Sequence, residues 1–264
     1  MQFTDQLETQ HTFASIPLRI VSLVPSQTEL LYDLGLEDNI VGITKFCVHP
    51  VRFKATKTIV GGTKNVKFDK IKALQPDIII CNKEENTKEI VEELSQICPV
   101  WVTDILTIED NLQMIHDFGQ LFNKRTEAQK WTGKINFAYQ DFQQFIKDKP
   151  VKKAAYFIWA NPHMVAGNHT FINELLHLNH FQNIYAVKEG RYPEIELKKI
   201  RLEGDPDYVF LSSEPFPFKD EHAFEIGRFT HHAKTVFVDG EMFSWYGSRL
   251  LKAFDYFKKL HAKI

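Results

Sequence analysis

The sequence has few cysteines, and none of them are clustered. Its three thiols, Cys47, Cys81 and Cys98, are scattered, and no pair has the CxxC spacing of a thiolate metal site. Cys81 and Cys98 lie in or beside apolar runs, which is typical of buried thiols. The cysteine pattern therefore argues against a metal site built on thiolates.

Common enzyme motifs are also missing. The sequence contains no GxSxG, no P-loop, no GxGxxG and no HExxH motif. The formal net charge of −2 gives no support to a basic, nucleic-acid-binding face. We therefore expect a protein that is not an enzyme, does not bind nucleic acid and has no intrinsic metal or cofactor.

Long apolar stretches are absent as well. No run approaches the roughly 18 apolar residues that a membrane-spanning helix needs. The first residues, MQFTDQLETQHTFASIPLR, are polar and acidic, whereas a secretory signal has a basic start and an apolar stretch. This pattern predicts a cytoplasmic protein, with a periplasmic or cell-envelope location as the alternative.

Short apolar runs and helical patterns alternate along most of the chain. The runs predict strands near residues 19–24, 40–44, 77–81, 99–102, 153–159, 208–212 and 235–238. After the first run, Ser26 and Glu29 fit a capping box, and Gly35 fits a helix C-terminal stop. Such alternation favours parallel sheets with crossover helices, an α/β fold.

The middle of the chain has a different pattern. Between residues 125 and 148, Trp131, Ile135, Phe142 and Phe145 form a single apolar stripe, which predicts one long helix. The segments ALQPDIIIC and GDPDYVFLS repeat the same Pro-Asp entry into a strand on either side of it. We therefore predict two Rossmann-like lobes, residues 1–124 and 150–264, joined by a connecting helix over residues 125–149.

Aromatic and polar side chains gather after the predicted strands. In open α/β sheets, ligands bind beyond the carboxyl ends of the strands, so these positions predict a binding site in a cleft between the lobes. Flat conjugated rings suit such a surface because stacking adds to the burial of apolar area. The candidate ligand-binding residues are Phe46, His49, Asn82, Trp159, His163, Arg191, Tyr192, Phe216, Phe243, Trp245, Tyr246 and Arg249.

Each candidate also has an ordinary structural interpretation. The loop aromatics can pack within their own lobe, the histidines can simply be hydrogen-bonded, and Arg249 can cap a neighbouring loop. His49 and His163 are the histidines that could ligate a metal in a ligand. His231 and His232 are expected to lie in solvent.

Several of these segments resemble one protein family. RIVSLVPSQTELLYDLGLEDNIVGIT, ALQPDIII, the mid-chain helix and DGEMFSWYGSRLL are similar to the substrate-binding proteins of iron-complex and cobalamin ABC transporters, the helical-backbone metal receptors. GRYPEI, LSSEPFPF and DGEMFSWYGSR resemble the cobalamin-binding subgroup. The resemblance implies a class III periplasmic-binding-protein fold and a corrinoid or other metal chelate as ligand.

The resemblance also implies roles for individual residues. Phe46 and Tyr192 fall where relatives present aromatics to the corrin, whereas Asn82 replaces an aromatic. Asp69 and Glu196 are the candidates for docking to an ABC permease, although Lys198 falls nearer the second position and would repel an arginine there.

Other functions remain open from the sequence. Haem or a ferric siderophore could replace the corrinoid as ligand. A metal-cofactor chaperone or enzyme could use the same scaffold, with Cys47 as the loop cysteine. A pure interaction protein with a filled cleft is a further alternative.

Overall fold

The computed structural model describes residues 1–264, which form two compact units. Unit 1 comprises Met1–Phe137 and Tyr246–Leu251, and unit 2 comprises Ala138–Trp245 and Lys252–Ile264. Residues 246–251, near the end of the chain, thus belong to unit 1. The predicted lobes are continuous stretches of sequence and do not include such an exchange. None of the helices combines the length and apolarity that crossing a bilayer requires.

Unit 1 contains a parallel five-stranded sheet and a small antiparallel hairpin. The hairpin strands are β1 (Gln2–Thr4) and β2 (Gln10–Thr12). The sheet strands are β3 (Ile20–Ser22), β4 (Ile40–Ile43), β5 (Thr58–Ile59), β6 (Ile78–Asn82) and β7 (Val100–Thr103). They are ordered β5-β4-β3-β6-β7, and every neighbouring pair is parallel.

Helices connect these strands. They are α1 (Pro25–Asp33), α2 (Phe53–Thr56), α3 (Phe68–Ala73), α4 (Lys88–Leu94) and α5 (Ile108–Leu121). Strand β6 is buried along its whole length, as expected for a parallel strand covered on both faces. Its run of isoleucines packs into the core of the unit with no exposed side chain.

Unit 2 has a second largely parallel sheet. Its strands are β8 (Lys152–Ala160), β9 (His163–Val165), β10 (Phe181–Asn183), β11 (Tyr208–Ser212) and β12 (Lys234–Val238). The order is β10-β8-β11-β12, all parallel, and β9 pairs antiparallel with β8. Its helices are α7 (Phe171–Leu178), α8 (Ile200–Glu203), α9 (Asp220–Gly227), α10 (Gly240–Ser244) and α11 (Leu250–His261). The predicted α/β class with parallel sheets is confirmed.

The long mid-chain helix is α6 (Arg125–Ile146), close to the predicted bounds. Ile135 and Phe142 on its apolar stripe are fully buried. Trp131 is half-buried and donates its indole N–H to the carbonyl of Asp33 at 3.1 Å. The helix is therefore amphipathic, as its sequence pattern indicates.

The Pro-Asp repeat has one structural role in both units. The carboxylate of Asp77 accepts the backbone N–H of Arg19, which leads into β3, at 2.9 Å. The carboxylate of Asp207 accepts the backbone N–H of Lys153 in β8 at 2.8 Å. Each aspartate thus ties the start of one strand to the start of its neighbour.

The predicted capping box at the start of α1 is wrong. Val24 is the N-cap, and its apolar side chain cannot make a capping bond. The helix begins at Pro25, so Ser26 lies inside its first turn. Glu29 instead lies buried inside the helix. Gly35 has φ 76°, the left-handed conformation that ends a helix, so the predicted stop is present.

Candidate functional site

Phe46 is the exposed aromatic at the carboxyl end of the unit 1 sheet. It follows β4, its side chain is 48% exposed, and the Lys45 ammonium lies 4.9 Å from its ring centre. The next residue, Cys47, is fully buried, and its sulfur contacts the hydroxyl groups of Thr28 and Thr44 at 3.1 and 3.3 Å. The buried thiol anchors the loop that carries the exposed Phe46 ring.

Cys47 does not fit a metal-handling role. Burial raises the pKa of its thiol above the ordinary value, so the thiolate that binds metals is disfavoured. His49, two residues further along the same loop, is half-buried. Phe46 is thus the more exposed of the two candidate residues in this loop, and the ligand roles of Phe46 and His49 stay predictions.

Asn82 is buried and hydrogen-bonded within unit 1, and its predicted contact with a ligand stays a prediction. It is 2% exposed at the end of β6. Its amide N–H donates to the carbonyl and the hydroxyl of Thr103, both at 3.1 Å. Its carbonyl oxygen accepts the backbone N–H groups of Glu84 and Glu85. Because both ends of the amide are engaged, Asn82 shapes the loop.

Unit 2 presents its own exposed aromatic pair beyond its sheet. Trp159 near the end of β8 is 38% exposed, and its indole N–H donates to the Asn161 carbonyl at 3.0 Å. Phe216, which follows β11, meets Trp159 edge-on with ring centres 5.4 Å apart. The hydrogen bond and the edge contact fix the indole while a third of it remains in solvent.

His163 lies beside this pair in β9. Its imidazole is half-buried and edge-on to Phe157 at 6.3 Å, and its Nε2 atom is buried without a hydrogen-bond partner. Burial lowers the pKa of His163, so the ring is neutral at physiological pH. A neutral imidazole with an uncommitted nitrogen is the form that ligates metals.

His222 belongs to the same surface, and sequence reasoning missed it. Its ring meets Phe216 at 5.1 Å and Phe218 at 5.6 Å, both edge-on. Its Nδ1 accepts the backbone N–H of Lys219 at 3.0 Å, which leaves the proton on Nε2. His222 follows Phe218 by four residues and lies in the first turn of α9. This spacing in the sequence could have indicated that His222 lies near the aromatic residues.

Arg191 and Tyr192 are half-buried in the segment before Leu197. The backbone of this segment packs closely on Gly167, whose N–H donates to the Arg191 carbonyl at 2.8 Å. A Cβ on Gly167 would lie 2.7 Å from the Gly190 carbonyl oxygen, so only glycine allows this approach. The roles predicted for the Arg191 and Tyr192 side chains stay predictions.

Phe243 is a core residue, and its predicted contact with a ligand stays a prediction. It is fully buried in unit 2. Its ring lies 4.8 Å from that of Phe257 and 5.2 Å from that of Tyr156. Short helix α10 turns this aromatic inward, which a strand-to-helix loop read from sequence alone does not reveal.

Trp245 is also largely buried, with 7% of its surface exposed. Its indole N–H donates to the Glu214 carboxylate at 2.7 Å, and the Ser244 hydroxyl donates to the same oxygen at 3.1 Å. Burial raises the pKa of Glu214, which the two donors partly offset. Little of the indole face is therefore exposed, and the predicted ligand role of Trp245 stays a prediction.

Tyr246 and Arg249 are interior residues of unit 1. The Tyr246 hydroxyl accepts the side-chain N–H of Gln27 at 3.1 Å, and its ring is 7% exposed. Arg249 is 4% exposed and forms a bidentate ion pair with Glu29 at 2.7 and 2.9 Å. These side chains hold the 246–251 segment to α1, and their predicted ligand contacts stay predictions.

The proposed docking residues are exposed. Asp69 lies in the first turn of α3. The side chain of Glu196 is 67% exposed and pairs with Lys199 at 2.5 Å, which lowers the pKa of this carboxyl. Lys198 is exposed beside it.

A surface groove of about 520 Å³ lies elsewhere in unit 2. It runs along the edge strand β12 and is lined by Phe237, Tyr256 and Leu260 together with three lysines. No candidate ligand-binding residue borders it. We place the candidate site at the carboxyl ends of the strands, where ligands bind in open α/β sheets and where Phe46 and Trp159 are exposed.

Comparisons with known proteins agree with this fold. A profile described as "Periplasmic binding protein" matches residues 20–230. The chain is 26% identical to the ABC transporter substrate-binding lipoprotein YvrC of Bacillus subtilis, over 92% of this chain and 80% of the relative. It is 24% identical to the vitamin B12-binding protein of Vibrio parahaemolyticus, over 76% of this chain and 73% of the relative.

Solved structures share the fold at lower identity. The periplasmic vitamin B12 binding protein BtuF of Vibrio cholerae superposes with a TM-score of 0.81 at 19% identity, covering 94% of this chain and 99% of that one. The periplasmic heme-binding protein RhuT of Roseiflexus sp. RS-1 gives 0.80 at 15% identity, covering 92% and 98%. These likenesses confirm the class III periplasmic-binding-protein fold.

The expectation of a cytoplasmic location is wrong. The matching profile and the similar structures are those of periplasmic proteins, and one of the relatives is a lipoprotein. These findings point to a location outside the cytoplasm. The polar first residues of the sequence were an insufficient basis for the opposite expectation.

Proposed function

Because the chain belongs to the periplasmic binding protein family, we propose that it binds a planar metal chelate, most readily cobalamin or a related corrinoid. At the level of the family, it is a substrate-binding protein of the ABC-transporter type and not an enzyme. The chelate is a transported ligand in this proposal, not a resident cofactor. The name of the B12-binding relative supports the corrinoid as the first ligand to test.

The exposure of Trp159 carries the proposal. A large aromatic ring that is held in place yet 38% exposed gains free energy when a flat apolar ligand covers it. The hydrogen bond to Asn161 and the edge contact with Phe216 fix the ring before binding, which reduces the entropy lost on association. Phe46 offers a second exposed ring at the carboxyl end of the unit 1 sheet.

Haem is the second candidate ligand, and His163 is the observation that favours it. Its buried Nε2 has no hydrogen-bond partner, and its lowered pKa keeps the ring neutral. A neutral imidazole is a common axial ligand of haem iron. The similar Roseiflexus structure is named as a heme-binding protein. Haem is therefore the second ligand to titrate.

Docking to a permease is part of the proposal. Asp69 and Glu196 are exposed carboxylates that could meet cationic side chains of a permease. The Glu196–Lys199 ion pair and the adjacent Lys198 weaken the second contact by placing positive charge there. Charge reversal at Asp69 should therefore reduce association with a cognate permease more than charge reversal at Glu196.

Calorimetric titration with cyanocobalamin and with haemin tests the ligand. We expect saturable binding of one molecule per chain for one of the two. His163→Ala should remove the Soret shift of bound haem if the imidazole ligates iron, and it should leave corrinoid binding nearly unchanged. Failure of both ligands to saturate the protein at tens of micromolar would overturn the proposal.

A further inference from the structure

The loops that lead into two neighbouring strands of unit 2 bring together side chains suited to a divalent metal. Asp205 lies between α8 and β11, and His231 and His232 lie between α9 and β12. Strands β11 and β12 pair in parallel, with Tyr208 opposite Lys234. The loops that precede the two strands therefore lie next to each other at the amino end of the sheet. The fold thus brings together residues that are far apart in the sequence.

The ligand atoms in this group are close enough for one ion. One side-chain atom each from Asp205, His231 and His232 lies within 4.8 Å of the other two. Zinc bonds of about 2.1 Å in a tetrahedron hold neighbouring ligand atoms roughly 3.4 Å apart. Small rotations of these partly exposed side chains are enough to shorten the separations from at most 4.8 Å to roughly 3.4 Å.

Only one of the two carboxylate oxygens of Asp205 has a partner. Its Oδ1 atom is buried and has no hydrogen-bond partner, although the residue as a whole is only partly buried. A buried carboxylate oxygen without a donor is unfavourable, because it has lost water and gained nothing in return. The other oxygen, Oδ2, faces Nδ1 of His232, and a cation held by this carboxylate would offset the cost of burying its charge.

Asp207 supplies the support that metal-binding histidines need. His232 Nδ1 lies 3.6 Å from Asp205, and its Nε2 lies 3.4 Å from the Oδ1 of Asp207. The other oxygen of Asp207 accepts the backbone N–H of Lys153 at 2.8 Å, which fixes the carboxylate. A carboxylate on the second ring nitrogen orients a metal-ligating histidine and raises its basicity.

We propose that Asp205, His231 and His232 form a binding site for a borderline divalent transition metal, with Zn²⁺ as the reference ion, and that Asp207 orients His232. Two imidazoles and a carboxylate suit zinc and its neighbours, whereas Mg²⁺ and Ca²⁺ prefer oxygen ligands alone. Three protein ligands leave a position for water.

This site is separate from the proposed chelate surface. Asp205 precedes β11 and Phe216 follows it, so the two lie at opposite ends of a five-residue strand, about 16 Å apart along the sheet. The inference therefore does not depend on the identity of the transported ligand. Bound metal joins the loops before β11 and β12, which stabilises the folded unit.

Calorimetry with ZnCl₂ on tag-free protein in a non-chelating buffer at neutral pH tests the site. We expect one Zn²⁺ per chain, a rise in Tm with added zinc and no competition from excess Mg²⁺. His231→Ala/His232→Ala should remove both signals. Asp207→Asn should weaken binding about 10- to 100-fold, because it keeps the shape but loses the charge that orients His232.

Two matched variants make the result decisive. His177→Ala removes an exposed imidazole from helix α7 of the same unit, and zinc affinity should not change. Trp159→Ala alters the chelate surface, and zinc affinity should again not change. Absence of saturable zinc binding, or binding that survives the double histidine substitution, would overturn the inference whichever chelate the protein carries.

Discussion

Arg249 and Glu29 stand 220 positions apart in the sequence, and their side chains form a buried bidentate ion pair. The pair joins a short segment near the end of the chain to the first helix of unit 1. Next to it, the Ser248 hydroxyl donates to the Asp33 carboxylate at 2.5 Å. These contacts explain why residues 246–251 belong to unit 1 although the sequence around them belongs to unit 2.

We expect Arg249→Met to destabilise the protein by about 3–5 kcal/mol, because it leaves the Glu29 carboxylate buried without its partner. Urea unfolding followed by circular dichroism measures the change. The double variant Glu29→Met/Arg249→Met should recover part of the loss, since no charge then remains in the interior. A single substitution that costs less than about 1 kcal/mol would show that the pair is solvated, contrary to the structure.

Phe243→Ala should cost about 3–5 kcal/mol of unfolding free energy, because it opens a cavity beside Tyr156 and Phe257 in the core of unit 2. Phe224, which is 75% exposed on α9, provides the control. Phe224→Ala should change stability by no more than about 0.5 kcal/mol. Equal effects of the two substitutions would contradict the assignment of Phe243 to the core.

Trp159→Ala should weaken binding of the planar ligand by roughly 1–3 kcal/mol, the range seen when an aromatic side chain that stacks on a ring is removed. The unfolding free energy of this variant should fall by less than the roughly 3–5 kcal/mol of a fully buried tryptophan, because 38% of Trp159 is exposed. Phe137, 75% exposed on the long helix, is the control, and Phe137→Ala should bind as tightly as the parent chain. Unchanged affinity of the Trp159 variant would remove the main support for the proposed chelate surface.

Much of the fold could be predicted from the sequence because its signals are local. Runs such as DIIIC are apolar on both faces, which in an α/β protein indicates a central parallel strand. The Pro-Asp repeat marks equivalent strand entries in both units, and Asp77 and Asp207 make the same backbone contact there. Such patterns need only neighbouring residues to be interpreted.

The candidate site was harder to predict because burial depends on distant partners. DGEMFSWYGSR looks like an exposed aromatic loop, yet Phe243 and Trp245 turn into unit 2 while Tyr246 and Arg249 turn into unit 1. The partner that decides the orientation of Arg249 is Glu29, which the sequence assigned to a capping box. Nothing near either residue in the sequence indicates this pairing.

His261 should make the stability of the protein depend on pH. Its ring stacks on Phe181 with centres 5.2 Å apart, and its Nε2 lies 3.1 Å from the Asn179 side-chain oxygen. Burial lowers the pKa of His261 to about 4, with smaller contributions from the nearby Lys149 and His180, whereas a hydrogen bond with the Asn179 backbone opposes that shift. The folded protein therefore holds this ring neutral at pH values where the unfolded chain begins to protonate it.

The sign of the effect follows from the depressed pKa. Above the ordinary histidine pKa of about 6.5, both states are neutral at this position and its full contribution to stability is present. As the pH falls from there toward about 4, the unfolded chain binds the proton first, so stability is lost.

We expect the unfolding free energy of the parent chain, measured in urea between pH 7 and pH 4, to fall faster than that of His261→Gln. His177→Gln, at an exposed position of α7, should follow the parent curve. Parallel curves for the parent chain and His261→Gln would mean that the imidazole is solvated or already charged in the folded state.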